Sequence, residues 1–168
     1  MLKHYARKRT FPRCIMKIHL QKAYDTVHWE FFRDALRLLN FPPMFISWIM
    51  ECVCTTSFSI SFNGQLHGFF KGARGLRQGD PLYPFLFVIC MEILSRSLLW
   101  VSRSPDFNFH PRCALLHITY LVYADDLLIL SRSDVMSVRI FLECVDSFGR
   151  MAGLRANVLK SNIYMAGG

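Results

Sequence analysis

The stretch LVYADDLLIL, residues 121–130, restricts what this chain can fold into more than any other segment, because it places Asp125 and Asp126 inside a nearly unbroken apolar run. Burying a carboxylate without a partner is costly, and two adjacent carboxylates raise each other's pKa. A divalent cation is the obvious group to hold such a pair. The sequence therefore predicts a tight hairpin of two strands with both aspartates at its tip.

The composition favours one compact domain with an anionic partner. With 168 residues, 52% of them hydrophobic, the chain is long enough to bury one core. Lysine and arginine total 20 against 12 acidic residues, and the net charge of +8 indicates nucleic acid first and an anionic membrane surface second. None of the six cysteines forms a C-x-x-C pair, so they are predicted to be buried free thiols.

No membrane segment is predicted. The longest apolar runs, which begin at Phe45 and Leu82, are each interrupted by a glutamate before they reach the roughly 18 residues that a span needs. The basic N-terminal segment lacks the apolar stretch of a secretory signal. This indicates a reducing, intracellular compartment, either nucleus or cytoplasm.

Hydrophobic periodicity predicts a strand, two helices and a hairpin in the first half of the chain. A short apolar strand at 14–20 precedes a helix that Pro42 terminates, and a second helix spans 43–54. Strict alternation at 57–62, followed by an Asn-Gly pair, predicts a hairpin that continues to about residue 70. The predicted inner face of the second helix carries Phe45, Trp48, Ile49 and Cys52.

The second half contains two further helices and the remaining strands. A long helix is predicted at 81–100 after an Asp-Pro pair, and a strand at 115–122 pairs with LLIL. Another helix follows Asp134 and ends at Gly153, and a last short strand is predicted at 158–164. The predicted inner faces hold Leu82, Phe85, Leu86, Ile89 and Ile93 in the long helix, and Val138, Phe141, Leu142, Val145 and Phe148 in the later one.

Apart from the inserted hairpin, the order of elements is β-α-β-β-α-β. This order predicts an α+β fold with a ferredoxin-like antiparallel sheet and packed helices, in which the first strand lies beside the aspartate hairpin. A two-metal phosphoryl-transfer site needs carboxylates from both places. The residues in register on the first strand are Lys17, Ile18, His19 and Leu20, so the expected carboxylate is absent.

Four segments carry a more specific pattern: MKIHLQKAYDTVHWEF, FKGARGLRQGDPLYPFLFVICMEILSR, LVYADDLLIL and GLRANVLKSNIYM. In this order, over about residues 5–167, they resemble the successive motifs of the reverse transcriptase palm in plant non-LTR (LINE-type) retrotransposons. RQGDP with a downstream YADD is the most specific combination. The resemblance implies a polymerase palm that performs RNA-directed DNA synthesis. It also implies Mg²⁺ at a two-metal site and an RNA template, a DNA primer and dNTPs as partners.

The resemblance assigns roles to the residues expected around the metal site. It implies that Asp125 and Asp126 are the catalytic, metal-binding pair of the YADD turn, whereas a single hairpin with such residues could also expose them to water. It implies that Lys160, in GLRANVLKS, lies near the leaving pyrophosphate. An ordinary surface lysine is the alternative for Lys160.

The resemblance also implies a nucleotide site. Tyr24 matches the aromatic steric gate that excludes a ribose 2′-hydroxyl, although an ordinary packing role is open to it. Gln78 and Gly79 match the nucleotide-binding loop, where glycine lets the backbone approach the nucleotide while the amide bonds to it. Arg74 and Arg77 flank this loop and either contact phosphate or are merely solvated.

Two positions depart from the family pattern. Where the family has KIDLQKAYD, this chain has His19 in place of the aspartate that bridges both magnesium ions. Magnesium prefers hard oxygen ligands, and neutral imidazole is a poor substitute. Asp25 lies six residues further along, beyond the strand end, and does not replace it. Tyr83 stands where the family has the serine of PLSP, which adds bulk beside the nucleotide loop.

Residues 1–168 are therefore interpreted as a partial reverse transcriptase domain, the palm, with most of the fingers and the thumb missing. Its inherited activity is predicted to be impaired by His19. A non-catalytic nucleic-acid-binding module is the alternative from another functional class. A nucleotide cyclase has the same palm topology, but the RQGDP loop and the lack of a GGDEF-like turn argue against it.

Overall fold

The computed structural model describes residues 11–77 and 79–167. These residues form two compact units, each built from separate stretches of the chain. The first unit contains 11–21, 92–150 and 154–167, and the second contains 22–77, 79–91 and 151–153.

Seven strands and five helices are present in the described residues, together with one turn of 3-10 helix at Ala114–Leu116. In chain order they are β1 (Arg13–Gln21), α1 (Ala23–Thr26), α2 (Trp29–Leu38), α3 (Pro43–Cys54), β2 (Ser57–Phe62), β3 (Gln65–Lys71), α4 (Tyr83–Val101), β4 (Tyr120–Tyr123), β5 (Asp126–Ser131), α5 (Val135–Ala152), β6 (Arg155–Ala156) and β7 (Asn162–Ala166).

The first unit contains an antiparallel sheet with β1 at its centre. The strands run β4-β5-β1, and β1 continues the sheet by pairing with β7 along most of its length and with β6 at its end. This is the order expected of a β-α-β-β-α-β chain, so the predicted ferredoxin-like topology is confirmed. Side chains of β1 alternate between the two faces of the sheet: Met16 and Ile18 are buried, whereas Lys17 and His19 lie on the more open face.

The core of the first unit includes side chains from the sheet and from α5. Leu127 and Ile129 of β5 are buried, as are Phe141 and Phe148 of α5, which confirms most of the predicted stripe. Helix α5 follows the predicted N-cap residue Asp134, whose Oδ1 accepts a hydrogen bond of 2.9 Å from the backbone N–H of Ser137. Leu142 is an exception, because it is exposed.

In the second unit, α2 and α3 pack against each other and β2 pairs with β3. The hairpin turn lies at Asn63 and Gly64, both with positive φ, as the Asn-Gly pair predicts. The predicted inner face of α3 is mostly wrong, because Phe45, Trp48 and Cys52 are exposed. The helix is apolar on nearly every side, so periodicity could not identify the buried face. Its buried residues are Ile46, Ile49, Met50 and Val53.

Helix α4 differs from its prediction at its start. It begins at Tyr83 rather than residue 81, because Asp80 Oδ1 accepts a 2.9 Å hydrogen bond from the N–H of Leu82 in a turn that precedes the helix. Leu82 and Phe85, predicted to face inward, are exposed. The buried side chains are Tyr83, Leu86, Phe87, Cys90, Met91, Ile93, Leu94 and Leu98.

By length and composition alone, α4 could cross a membrane, and 39% of its apolar window is buried inside the protein. The core helix of a soluble protein meets the same criteria. The helix is therefore weak evidence for a span.

Two strand boundaries also differ from the predictions. Residues 115–119 lie outside the strand, since the 3-10 turn at Ala114–Leu116 is followed by His117 with φ +50°, and β4 begins only at Tyr120. The last strand begins at residue 162 instead of 158. The Asn157 side chain accepts hydrogen bonds from the N–H groups of Leu159 and Lys160, which closes a turn where a strand was expected.

All six cysteines are free thiols, as their spacing predicts. Cys14 and Cys90 are buried, and burial raises the pKa of the Cys90 thiol to about 12. Cys52 is exposed, so the prediction of burial is wrong for that residue.

His110 makes stability depend on pH. It is 4% exposed, and its Nδ1 accepts a 3.3 Å hydrogen bond from the N–H of Arg112. Burial lowers the pKa of His110 below its usual 6.5, and the charges of Arg13 and Arg112 lower it further. Below about pH 6.5 the unfolded chain binds a proton that the folded chain does not, so the free energy of unfolding should fall as pH decreases from 7 to 5.

Urea denaturation across this pH range tests the prediction with His110→Gln, which should flatten the pH dependence. His67→Gln is the matched control because His67 is exposed on β3. Equal slopes for the native chain and His110→Gln would contradict the assignment.

Candidate functional site

The aspartate hairpin is held at its tip by the end of β1. Tyr123 and Asp126 form the last pair of the β4–β5 ladder, so Ala124 and Asp125 make a two-residue turn, with φ +50° at Ala124. The carbonyl oxygen of Asp125 accepts a 2.8 Å hydrogen bond from the N–H of Leu20. The predicted hairpin tip is therefore confirmed, and β1 fixes its position.

His19 lies opposite the two carboxylates. It is the direct antiparallel partner of Asp126, which confirms the predicted proximity of β1 and the hairpin. Its Nδ1 is 3.3 Å from Asp125 Oδ2 and 3.3 Å from Asp126 Oδ1. One imidazole nitrogen thus contacts both members of the pair.

Lys17 contacts the same pair from the neighbouring position on the strand face. Its Nζ is 3.3 Å from Asp126 Oδ2, and both side chains are about two-fifths exposed, at 41% and 39%. Both oxygens of Asp126 therefore have a nitrogen partner, since His19 contacts the other one. Sequence reasoning gave Lys17 no role, although its place two residues before His19 puts the two side chains on one face of β1.

The turn that carries Lys160 is attached to the backbone of His19. The N–H of Asn157 donates a 2.7 Å hydrogen bond to the His19 carbonyl, and the His19 N–H donates to Ser161 Oγ at 3.2 Å. Ser161 Oγ in turn donates to the Asn157 carbonyl at 2.7 Å. Lys160 itself is exposed on this turn. Ser161 was not identified from the sequence, because an isolated serine near a predicted strand carries no distinguishing signal.

Three of the residues predicted to bind the nucleotide, Tyr24, Arg77 and Gly79, belong to the second unit. Tyr24 is half-buried in α1, where its ring packs against Phe87 with 4.5 Å between ring centroids. Arg77 and Gly79 are exposed, and Gly79 has φ +89°. Gln78 lies outside the described residues. Nucleotide binding by these four residues stays a prediction.

Tyr83, the second departure from the family pattern, is a buried residue of the second unit. Its side chain is 4% exposed, and its hydroxyl donates a 3.4 Å hydrogen bond to the Cys52 carbonyl. Burial raises the pKa of the Tyr83 hydroxyl, and the nearby Asp80 raises it further. The extra bulk of this residue is thus accommodated in the core.

Reverse transcriptases generally use divalent metal ions, and the donor set at the hairpin does not fit the two-magnesium arrangement. Magnesium selects oxygen ligands, but the residue facing Asp125 and Asp126 from β1 presents an imidazole nitrogen. The nitrogens of His19 and Lys17 already contact the carboxylate oxygens that would bind the ions. Within residues 11–77 and 79–167, no group of three or more His, Cys, Asp or Glu side chains could hold a metal ion.

Comparison with known families gives the decisive match: the family described as "Reverse transcriptase (RNA-dependent DNA polymerase)" matches residues 2–166. The chain belongs to the reverse transcriptase family. The resemblance to a reverse transcriptase, inferred from RQGDP and YADD, is thereby confirmed for nearly the whole length. This reverse transcriptase chain departs from the expected site at His19, within the matched region.

Two curated relatives carry the names of transposable elements. The chain is 23% identical over 99% of its length to the "Transposon TX1 uncharacterized 149 kDa protein" of Xenopus laevis. It is 29% identical over 80% of its length to the "Retrovirus-related Pol polyprotein from type-1 retrotransposable element R2" of Popillia japonica. It spans only 12% and 22% of these two proteins. The relatives support a reverse transcriptase domain of non-LTR retrotransposon origin.

A solved structure shares the fold. The truncated apo telomerase of Candida tropicalis superposes with a TM-score of 0.67 over 98% of this chain and 32% of its own, at 12% sequence identity. At this identity the likeness concerns the fold alone. It confirms the predicted antiparallel sheet with packed helices.

Proposed function

We propose that this chain is the palm of a non-LTR retrotransposon reverse transcriptase, whose inherited reaction is RNA-templated DNA synthesis, and that the reaction is impaired in the chain as it stands. One observation carries the proposal. Within a reverse transcriptase fold, Asp125 and Asp126 are at a hairpin tip directly beside the end of β1, and the residue that faces them there is His19. Residues 1–168 correspond to this palm.

In this proposal Asp125 and Asp126 are the metal-binding carboxylates, and Lys160 lies near the leaving pyrophosphate. The turn of Lys160 supports its role, because its hydrogen bonds attach it to His19 at the site. Tyr24 acts as the steric gate. The remaining proposed nucleotide-binding residues are Arg77, Gln78 and Gly79. The proposed cofactor is Mg²⁺, and the partners are an RNA template, a DNA primer and dNTPs, in the nucleus or cytoplasm.

The proposed impairment follows from the donor chemistry. A carboxylate at position 19 would add negative charge and two oxygen donors beside the aspartates, whereas imidazole offers one nitrogen. The nitrogen of His19 is at hydrogen-bonding distance from both aspartates, so they are partnered by the protein itself. Full activity is therefore not expected without a change at this position.

The experiment that tests the palm assignment is primer extension on an RNA template with Mg²⁺. The protein would be a chimera that carries His19→Asp and the fingers and thumb of a related retrotransposon enzyme. Extension that is lost on Asp126→Asn, and kept on Asp146→Asn in α5, would support the assignment. Asp146 is the matched control because it pairs with Arg150 on the exposed side of its helix. No extension by the chimera with Asp126 intact would contradict the assignment.

A non-catalytic nucleic-acid-binding module is the second candidate, and the net charge of +8 favours it. The chain should bind single-stranded RNA or DNA weakly, with affinity falling on the order of tenfold or more between 50 and 200 mM salt, because binding releases condensed counterions. Fluorescence anisotropy with a labelled oligonucleotide measures this. If the affinity stays constant as the salt concentration rises, electrostatic attraction to the nucleic acid does not drive binding.

Two arginine variants refine the binding experiment. Arg77→Ala should reduce the salt slope by about one, because this exposed residue flanks the predicted nucleotide loop. Arg37→Ala is the control, since Arg37 is equally a surface arginine but already pairs with Asp34 at 3.0 Å. Equal effects of the two variants would show that only total charge matters.

A further inference from the structure

We propose that Lys17 and His19 form a built-in clasp that holds the Asp125–Asp126 hairpin against β1 without a divalent cation. We define the clasp as these two residues together with the two aspartates. The inference goes beyond the polymerase assignment, because it rests only on contacts within the first unit. It explains how a hairpin that presents two adjacent carboxylates is kept in place when the residue opposite offers no oxygen ligand.

Both carboxylates are contacted by side chains of β1. Asp126 is contacted by Lys17 Nζ at Oδ2 and by His19 Nδ1 at Oδ1, each at 3.3 Å. The same His19 nitrogen is 3.3 Å from Asp125 Oδ2. Three close nitrogen–oxygen contacts therefore join two side chains of β1 to the two carboxylates.

Each of these contacts joins partly exposed side chains, and a single ion pair of this kind contributes little to stability in water. The clasp is expected to be more stable than a single such contact, because its four residues form one network and lie on or beside two directly paired strands. The backbone adds to it: Leu20 donates to the Asp125 carbonyl at 2.8 Å, immediately after His19. Opening the clasp should therefore be visible at the amide of Leu20.

The clasp also supplies the positive charge and nitrogen contacts that two adjacent carboxylates need. Two adjacent carboxylates repel each other, and either a bound cation or protein nitrogens must offset that repulsion. Here Lys17 supplies a fixed positive charge and His19 a ring nitrogen that faces both aspartates. A third carboxylate at position 19 would add to the repulsion between Asp125 and Asp126, so the hairpin would need a bound cation to stay in place.

The test compares the native 168-residue chain with His19→Asp, each in EDTA and in millimolar Mg²⁺. The readouts are the melting temperature and the hydrogen exchange of the Leu20 amide. The native chain should melt within about 1 °C in the two conditions, with equal Leu20 protection. His19→Asp should melt about 5 °C or more lower in EDTA and regain most of that loss, together with Leu20 protection, in Mg²⁺.

His67→Asp is the matched control, because it makes the same substitution on the exposed strand β3. It should show no dependence on Mg²⁺. The clasp is overturned if Mg²⁺ raises the melting temperature of the native chain by several degrees, or if His67→Asp responds to Mg²⁺ as His19→Asp does.

A second pair of variants keeps the inference testable if His19→Asp does not fold. Lys17→Met and His19→Leu remove the side-chain nitrogens without adding a carboxylate, and each should speed hydrogen exchange at Leu20 severalfold in EDTA. Unchanged exchange in both variants would mean that the clasp does not hold the hairpin. These readouts do not depend on primer extension, so the clasp and the polymerase assignment can fail separately.

Discussion

A chimera of this palm with the fingers and thumb of a related reverse transcriptase should extend a primer about a thousandfold faster with aspartate at position 19 than with the native histidine. Two magnesium ions bring four positive charges, and three carboxylates offset them better than two. The structure supports position 19 as the critical one, because His19 pairs directly with Asp126 across the strands. A thousandfold change corresponds to about 4 kcal/mol of transition-state stabilisation.

Single-nucleotide extension on an RNA template, with matched enzyme concentrations and Mg²⁺, measures the two rates. His67→Asp in the histidine chimera is the control for added negative charge, and it should leave the rate unchanged. If the histidine chimera extends primers as fast as the aspartate chimera, His19 does not disable the site. Similar metal dependence of both rates would lead to the same conclusion.

Replacing Gly75 by alanine should destabilise the protein by about 3 kcal/mol or more, which is a large loss for a single methyl group. A Cβ at this position would lie 2.5 Å from the carbonyl oxygen of Asp25, and the φ of +87° already disfavours any side chain. Both residues belong to the second unit. The clash is with backbone, so a change of side-chain rotamer cannot relieve it.

The backbone around Gly75 cannot move without breaking hydrogen bonds. The Gly75 N–H donates to the Val27 carbonyl at 2.8 Å, and its own carbonyl accepts from Trp29 Nε1 at 2.8 Å. The N–H of Leu76 donates to the Tyr24 carbonyl at 2.6 Å. These bonds attach the segment before the predicted nucleotide loop to the segment that carries Tyr24, so a shift at Gly75 would disturb both.

Gly64→Ala is the matched control, because Gly64 has a similar φ of +78° but no atom within 4 Å of its Cβ position. It should cost only about 1 kcal/mol, the strain of the backbone conformation. Urea denaturation followed by circular dichroism gives both values, with equal m-values showing that the unfolding reaction is the same. Equal losses in the two variants would show that the contact with Asp25 is relieved at little cost.

Several elements could be predicted from the sequence because their signals are local. The Asn-Gly turn of the β2–β3 hairpin, the Asp134 cap of α5 and the hairpin tip at Asp125 and Asp126 each depend on a few adjacent residues, and the structure has all three. The order of the strands followed from the sequence of elements, since few topologies accommodate β-α-β-β-α-β. The proximity of His19 to the aspartates followed from that order.

Other features depended on the tertiary structure. Helix α3 is apolar nearly all round, so only tertiary packing could decide that Ile46 is buried and Trp48 is exposed. The turn after β6 is closed by the side chain of Asn157, and the backbone N–H of the same residue donates to the His19 carbonyl. A local pattern cannot report such contacts between distant residues.

The sequence by itself determined the family, the sheet order and the place where a carboxylate is replaced by His19, because these depend on residue types in a fixed order. Only the tertiary structure decided how the two aspartates are satisfied. The contact of Lys17 with Asp126 joins residues more than a hundred positions apart. It exists because β1 and β5 pair antiparallel, which places Lys17 and His19 of β1 near Asp126 at the start of β5. The distance between the side chains then depends on strand register and side-chain conformation.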